Sequence, residues 1–136
     1  MNMKTDMTEI IMRHLPGYLL TGLVVLILDG MFIYVTKDEF NAQIKMVQGM
    51  DIKPDILAVI LSYIVIISGL YYFIIREKRS VMEAGLFGFS MYAVYELTTK
   101  SLLKSWHWKT VIMDTLWGAT LFALTTAIIT NQLSFR

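Results

Sequence analysis

The 136-residue chain has no cysteine, which excludes disulfides, thiolate metal ligands and thiol chemistry. It has two prolines, Pro16 and Pro54, and each stands at the start of a long apolar stretch. Its two histidines form no spaced set, and His107, alone in a loop, is a poor metal site. No Gly-rich phosphate loop, H-E-x-x-H or G-x-S-x-G is present, so the usual signatures of nucleotide binding, zinc chemistry and hydrolysis are missing. No enzyme activity and no cofactor are expected. Charge is scarce as well, at 17% Asp, Glu, Lys and Arg against about 25% in soluble proteins. With a net charge of +1 and basic residues scattered among acidic ones, nothing points to nucleic acid.

What remains is apolar: 56% of residues are hydrophobic and mean hydropathy is +0.58. Four stretches, Leu15 to Val35, Pro54 to Ile75, Val81 to Leu103 and Thr110 to Asn131, each reach the roughly 20 residues that cross a hydrocarbon core. The expected fold is all-α, an integral membrane four-helix bundle forming one domain over residues 1–136, with the lipid bilayer as its solvent. Lys4 and Arg13 precede the first stretch as in a signal peptide. That run is far longer than the h-region of about 7 to 15 residues and no A-x-A site follows, so a retained span is expected. Met3, Met7 and Ile10 recur at helical spacing, as do Phe40, Ile44 and Val47, and predict two short interfacial helices, one before the first span and one in the first loop.

An even number of spans puts both termini on one side. The positive-inside comparison is a tie, six basic residues on each side, and only the dense Arg76, Lys78 and Arg79 tilt it toward cytoplasmic termini.

Against this background Asp29, Glu96 and Asp114 stand inside the first, third and fourth stretches. At about 1.5 Å per residue they lie roughly 9, 10 and 6 Å in from the same face, with Tyr63 of the second span roughly 13 Å in. Intramembrane carboxylates are costly and generally face a bundle interior or a water-filled cavity. Three together in low dielectric cannot all stay ionised, so at least one holds a proton or is neutralised by a cation. Tyr63, Tyr95, Thr98 and Trp117 are the expected donors around them, Trp117 being one helical turn from Asp114.

Each acid also has a plain structural role open to it. Asp29 can accept hydrogen bonds from a facing helix, Glu96 can pair with Lys100 at i+4, and Asp114 can complement the dipole of its helix. Glu83 has that dipole role at the start of the third span, beside Arg79 or Arg76, and is set apart from the site. Trp106 and Trp108 read as an interfacial aromatic belt with Lys104 and Lys109 reaching headgroups. Ala84, Gly85 and Gly88, with Gly118, form small-residue surfaces for close helix packing. The ten methionines are dispersed filler, not a copper array.

Asp29, Tyr72-Phe73, Ala84-Gly85 with Gly88, Tyr92-Ala93-x-Tyr95-Glu96-Leu97-Thr98-Thr99, Trp106 and Asp114-x-x-Trp117-Gly118 together resemble the four-span predicted membrane proteins classed as domain of unknown function 2177. The resemblance covers nearly the whole chain. Where the family pattern has Asp followed by Leu-Thr-Asn, this chain has Glu96 and ends the motif on Thr99. The resemblance implies four spans and singles out the same three acids, and it brings no reaction.

Three readings follow. The first is a channel or transporter whose acids bind a proton or monovalent cation, and the second a structural or partner-binding protein whose polar core only fixes packing. The third is a small drug-exporter-like antiporter, although such exporters carry their essential Glu in span one, where this chain has Asp29 near the end. A cavity reaching the acids separates the first reading from the second. A bundle this small encloses little volume, so a homo-oligomer joined through the Ala84 and Gly88 face is expected.

Overall fold

The computed structural model describes residues 2–133, all of whose regular elements are helices. They are α1 (Met3–Gln48), α2 (Ile56–Leu70) continuing into a π turn (Tyr71–Ile75), α3 (Val81–Leu102) and α4 (Trp108–Leu133).

α1 corrects the sequence reading. The two interfacial helices and the first span are one continuous helix of 46 residues, about 69 Å long. It starts where the Asn2 side chain accepts from the Lys4 N–H, with Asp6 in the first turn complementing the dipole. It runs through Pro16, and it ends only at Gly49, whose positive φ of 77° makes the left-handed cap. No glycine or proline lies between Met31 and Gln48, so nothing stops it at the predicted membrane edge. The first loop folds back on it: Asn41 accepts from the Ile52 N–H at 2.9 Å and donates to Asp51 at 3.1 Å.

α2 begins at Asp55, whose side chain accepts from the Ala58 N–H. α3 opens on a capping box in which Ser80 and Glu83 satisfy each other's backbone N–H groups, and Arg79 pairs with Glu83 at 3.1 Å. Glu83 thus has the first-turn place and the Arg79 pairing expected of it, and the capping box is added by the structure.

α3 and α4 pack almost backbone to backbone. A Cβ on Gly88 would collide with the Gly118 carbonyl and with Phe122, and a Cβ on Gly118 would enter the Tyr92 ring. Gly85 faces Ala119 and Ala123 across the same seam, and Ala84 is fully buried. The small-residue face is therefore consumed inside the chain and is not free to join a second copy. The remaining core gathers Val25 of α1, Ile67 and Leu70 of α2, and Leu121, Phe122 and Ile129 of α4.

Apolar side chains also cover the outside. Leu19, Leu23 and Ile27 of α1 and Ile56, Leu57 and Val65 of α2 are half or more exposed. Among the described residues α1, α2 with its π turn, and α4 are long and apolar enough to cross a membrane. α3, at 22 residues, has the length, but Glu83, Glu96, Lys100 and its Gly, Ser, Tyr and Thr residues make it less apolar than its neighbours.

Candidate functional site

The three acids come together between α1, α3 and α4 and are differently satisfied. Asp29, on α1, accepts from the Tyr63 hydroxyl of α2 through Oδ2 and from the Trp117 indole N–H of α4 through Oδ1 at 2.9 Å. Trp117 is held in place by stacking on Phe32, with centroids 4.5 Å apart and planes 4° from parallel. One carboxylate thereby ties three helices, and both its oxygens have donors.

Glu96, on α3, is fully buried. Its Oε2 accepts from the Trp106 indole N–H at 2.7 Å, and its Oε1 has no partner. Trp106 is accordingly no belt residue: it is 3% exposed and turned inward from the third loop, whereas Trp108 is exposed. Lys100 does not neutralise Glu96, since its Nζ donates to the Lys104 carbonyl at 3.4 Å and lies over the Trp108 ring.

Asp114, on α4, is half-buried, and its carboxyl is within hydrogen-bonding reach of the Glu96 carboxyl and in the field of Asp29. Two ionised carboxylates have no hydrogen to share, so as a doubly charged pair they leave Glu96 Oε1 unsatisfied in a buried place. Among the described residues no Lys, Arg or His forms an ion pair with Asp29, Glu96 or Asp114. Nor does any group of three His, Asp or Glu among them approach closely enough to hold a metal ion. The unsatisfied oxygen thus belongs to a buried carboxyl beside a second one, and not to a chelate.

Of the expected donors, Tyr63 and Trp117 both serve Asp29. Tyr95 lines the space around Asp114 and Glu96 without a hydrogen bond to either. Thr98 faces outward, its carbonyl accepting from Ser101, and takes no part in the cluster.

A cavity of about 750 Å³ is lined by all three acids, by Tyr92, Tyr95, Phe32 and Trp106, and at its rim by Lys37, Asp38 and Asn41. A second, of about 580 Å³, lies between α2 and α3 and is lined by Leu61, Ser62, Val65, Ile66 and Met91. The two share Tyr92, Tyr95 and Asp114.

Two contributors escaped the sequence reading. Tyr92 walls both cavities because Gly118 lets its ring lie against the α4 backbone. Gln43, a polar residue between Phe40 and Ile44, is buried. Its Oε1 accepts from the His107 N–H at 2.8 Å and the Thr110 hydroxyl at 3.2 Å, and its Nε2 donates to the Ser105 carbonyl at 2.8 Å. It caps the start of α4 and fixes the loop that carries Trp106. Lys109 pairs with Glu39 beside it at 3.0 Å. No spacing rule exposes either residue, because each depends on where a distant loop or glycine lies.

In comparison with known proteins, the family described as Predicted membrane protein (DUF2177) matches residues 14–130. No curated protein and no solved structure matches.

Proposed function

The chain belongs to the predicted membrane protein family DUF2177, and from that premise we propose that it is a four-span membrane protein whose Glu96–Asp114 pair binds and releases a proton or monovalent cation. α3 counts as the fourth span because its length is sufficient and its one buried charged residue, Glu96, faces the cavity instead of lipid. The exposed apolar side chains of α1 and α2 suit lipid as the surrounding solvent.

The observation that carries the reading is the unpartnered Oε1 of the fully buried Glu96, set against a second carboxyl in a cavity that extends to polar residues at its rim. A network that served packing alone would be expected to satisfy its members, as Asp29 is satisfied. The proton or cation supplies what the pair lacks: one proton makes a donor between the two carboxyls, and one cation balances a negative charge.

The test is flux in liposomes read with a pH-sensitive dye, beside a melting curve. Glu96→Gln keeps size and the acceptor for Trp106 but cannot carry the charge, so proton or cation flux is expected to vanish while the bundle still folds. Absence of flux from the unmodified protein across pH, potential and monovalent cations would leave the packing role instead.

A further inference from the structure

A proton needs no cavity of several hundred cubic ångströms, and an alkali cation is held by several oxygens close around it, which the acids do not provide. We infer that the ligand of the Glu96–Asp114 pair is a lipophilic protonated amine, its ammonium between the two carboxyls and its apolar body in the groove between α2 and α3. This rests on the cation-binding reading above and names the substrate class of that site.

Three features of the site select this chemistry. The unpartnered Glu96 Oε1 is a buried acceptor lacking a donor, and an ammonium brings both the N–H and the missing charge. Tyr92 and Tyr95 stand at the junction of the two cavities beside Asp114, where ring faces can attract a cation. Leu61, Val65, Ile66 and Met91 then continue from Asp114 as an apolar wall, and about 580 Å³ is the size of a small-molecule site. Leu61 and Val65 are more than half exposed, so this groove opens sideways, where a lipid-dissolved amine would arrive. Lys37, the one basic residue lining the larger cavity, stands at its rim with its Nζ 4.8 Å from the centre of the Tyr34 ring, and does not occupy the place between the acids.

Binding has a stoichiometric consequence. When the pair holds one shared proton, an entering ammonium takes over both roles of that proton, and the proton leaves: protonated pair plus ammonium gives the ion-paired complex plus H⁺. Amine and proton therefore compete for one place.

The probe is 1-naphthylmethylamine, titrated calorimetrically into the protein in lipid nanodiscs with empty nanodiscs subtracted, in two buffers of different ionisation enthalpy. The expected result is saturable binding with about one proton released per amine at a pH where the pair is protonated. The N,N,N-trimethyl analogue, which has charge but no N–H, and the neutral 1-naphthalenemethanol should each bind at least about tenfold more weakly. Glu96→Gln should remove the proton release. Val65→Trp fills the groove from its exposed face while leaving both carboxyls in the chain, and should weaken binding by about tenfold or more while the melting curve stays in place. No binding above empty nanodiscs, binding indifferent to Val65→Trp, or equal binding of the neutral alcohol overturns the inference. Proton or potassium flux without amine binding overturns it too and leaves the parent reading standing. Amine binding with proton release but no flux supports the ligand class and removes transport.

Discussion

At the scale of single residues, the site is a contrast between two buried carboxylates. Asp29 has a donor on each oxygen and is fixed, whereas Glu96 has one donor and one bare oxygen. Among the described residues Trp106 is thus the one hydrogen-bond donor to Glu96. Trp106→Phe keeps an aromatic ring in a buried place but leaves both Glu96 oxygens without one. We expect a loss of roughly 1–3 kcal/mol, measured by denaturant unfolding in detergent, the cost of a buried acceptor left unmade. Glu96→Leu paired with Trp106→Phe should cost less than the sum of the two, because each removes the same bond. The motif around Glu96 and the two flanking tryptophans were legible as residues. That Trp106 turns inward and Trp108 outward was not, because the loop between α3 and α4 decides it.

At the scale of elements, two contacts position the site. The α3–α4 seam leaves no space for a side chain at Gly88, so Gly88→Ala must push the helices apart or displace Phe122, at roughly 1–3 kcal/mol. Gly30, on the same evidence of space, faces nothing within 4 Å. Gly30→Ala should be neutral or stabilising by about 0.5–1 kcal/mol, since alanine is the better helix former. Thermal melts of the two variants side by side check this. The second contact is Gln43, which reaches from the far end of α1 to hold the start of α4. Gln43→Leu preserves bulk but releases the His107 N–H, the Thr110 hydroxyl and the Ser105 carbonyl. Faster hydrogen exchange confined to residues 103–110, with a stability loss of roughly 1–3 kcal/mol, is the expected outcome. The small-residue pattern on α3 was legible, but its partner was not. A small-xxx-small face fits a neighbouring helix of the same chain as well as that of another, and only the short third loop, by holding α4 alongside α3, settles the choice.

For the whole molecule, the arrangement of spans is the quantity to test. If α3 crosses with the other three, the second loop lies on the side of the termini and the first and third loops lie opposite. The chain has no native cysteine, so single replacements report without background. Thr5→Cys and Lys78→Cys should label with an impermeant maleimide from one side of sealed vesicles, and Met50→Cys and Ser101→Cys from the other. Labelling of Lys78→Cys and Ser101→Cys from the same side would mean that α3 does not cross. The length of α1 adds a second expectation: at about 69 Å against a hydrocarbon core of about 30 Å, it must project into water or headgroups at both ends.

The sequence by itself determined the raw materials: apolar stretches of spanning length, three acids within them, small residues where helices meet, and no cysteine or spaced histidine. These are local properties, fixed by composition and by the rise of a helix. It also held the correct end of α1 in Gly49, although the amphipathic spacing of residues 40–47 drew that segment as a separate helix; a helix continues until a residue stops it, and none does before Gly49. Only the tertiary structure decided which carboxylate is satisfied and which is bare. That depends on where Trp106, Trp117 and Tyr63 arrive from other elements, on a glutamine 53 positions before Glu96 that pins the loop carrying Trp106, and on Gly118, which lets Tyr92 lie between the cavities. A hydrogen bond is satisfied by geometry within a few tenths of an ångström, and no spacing along the chain carries that information.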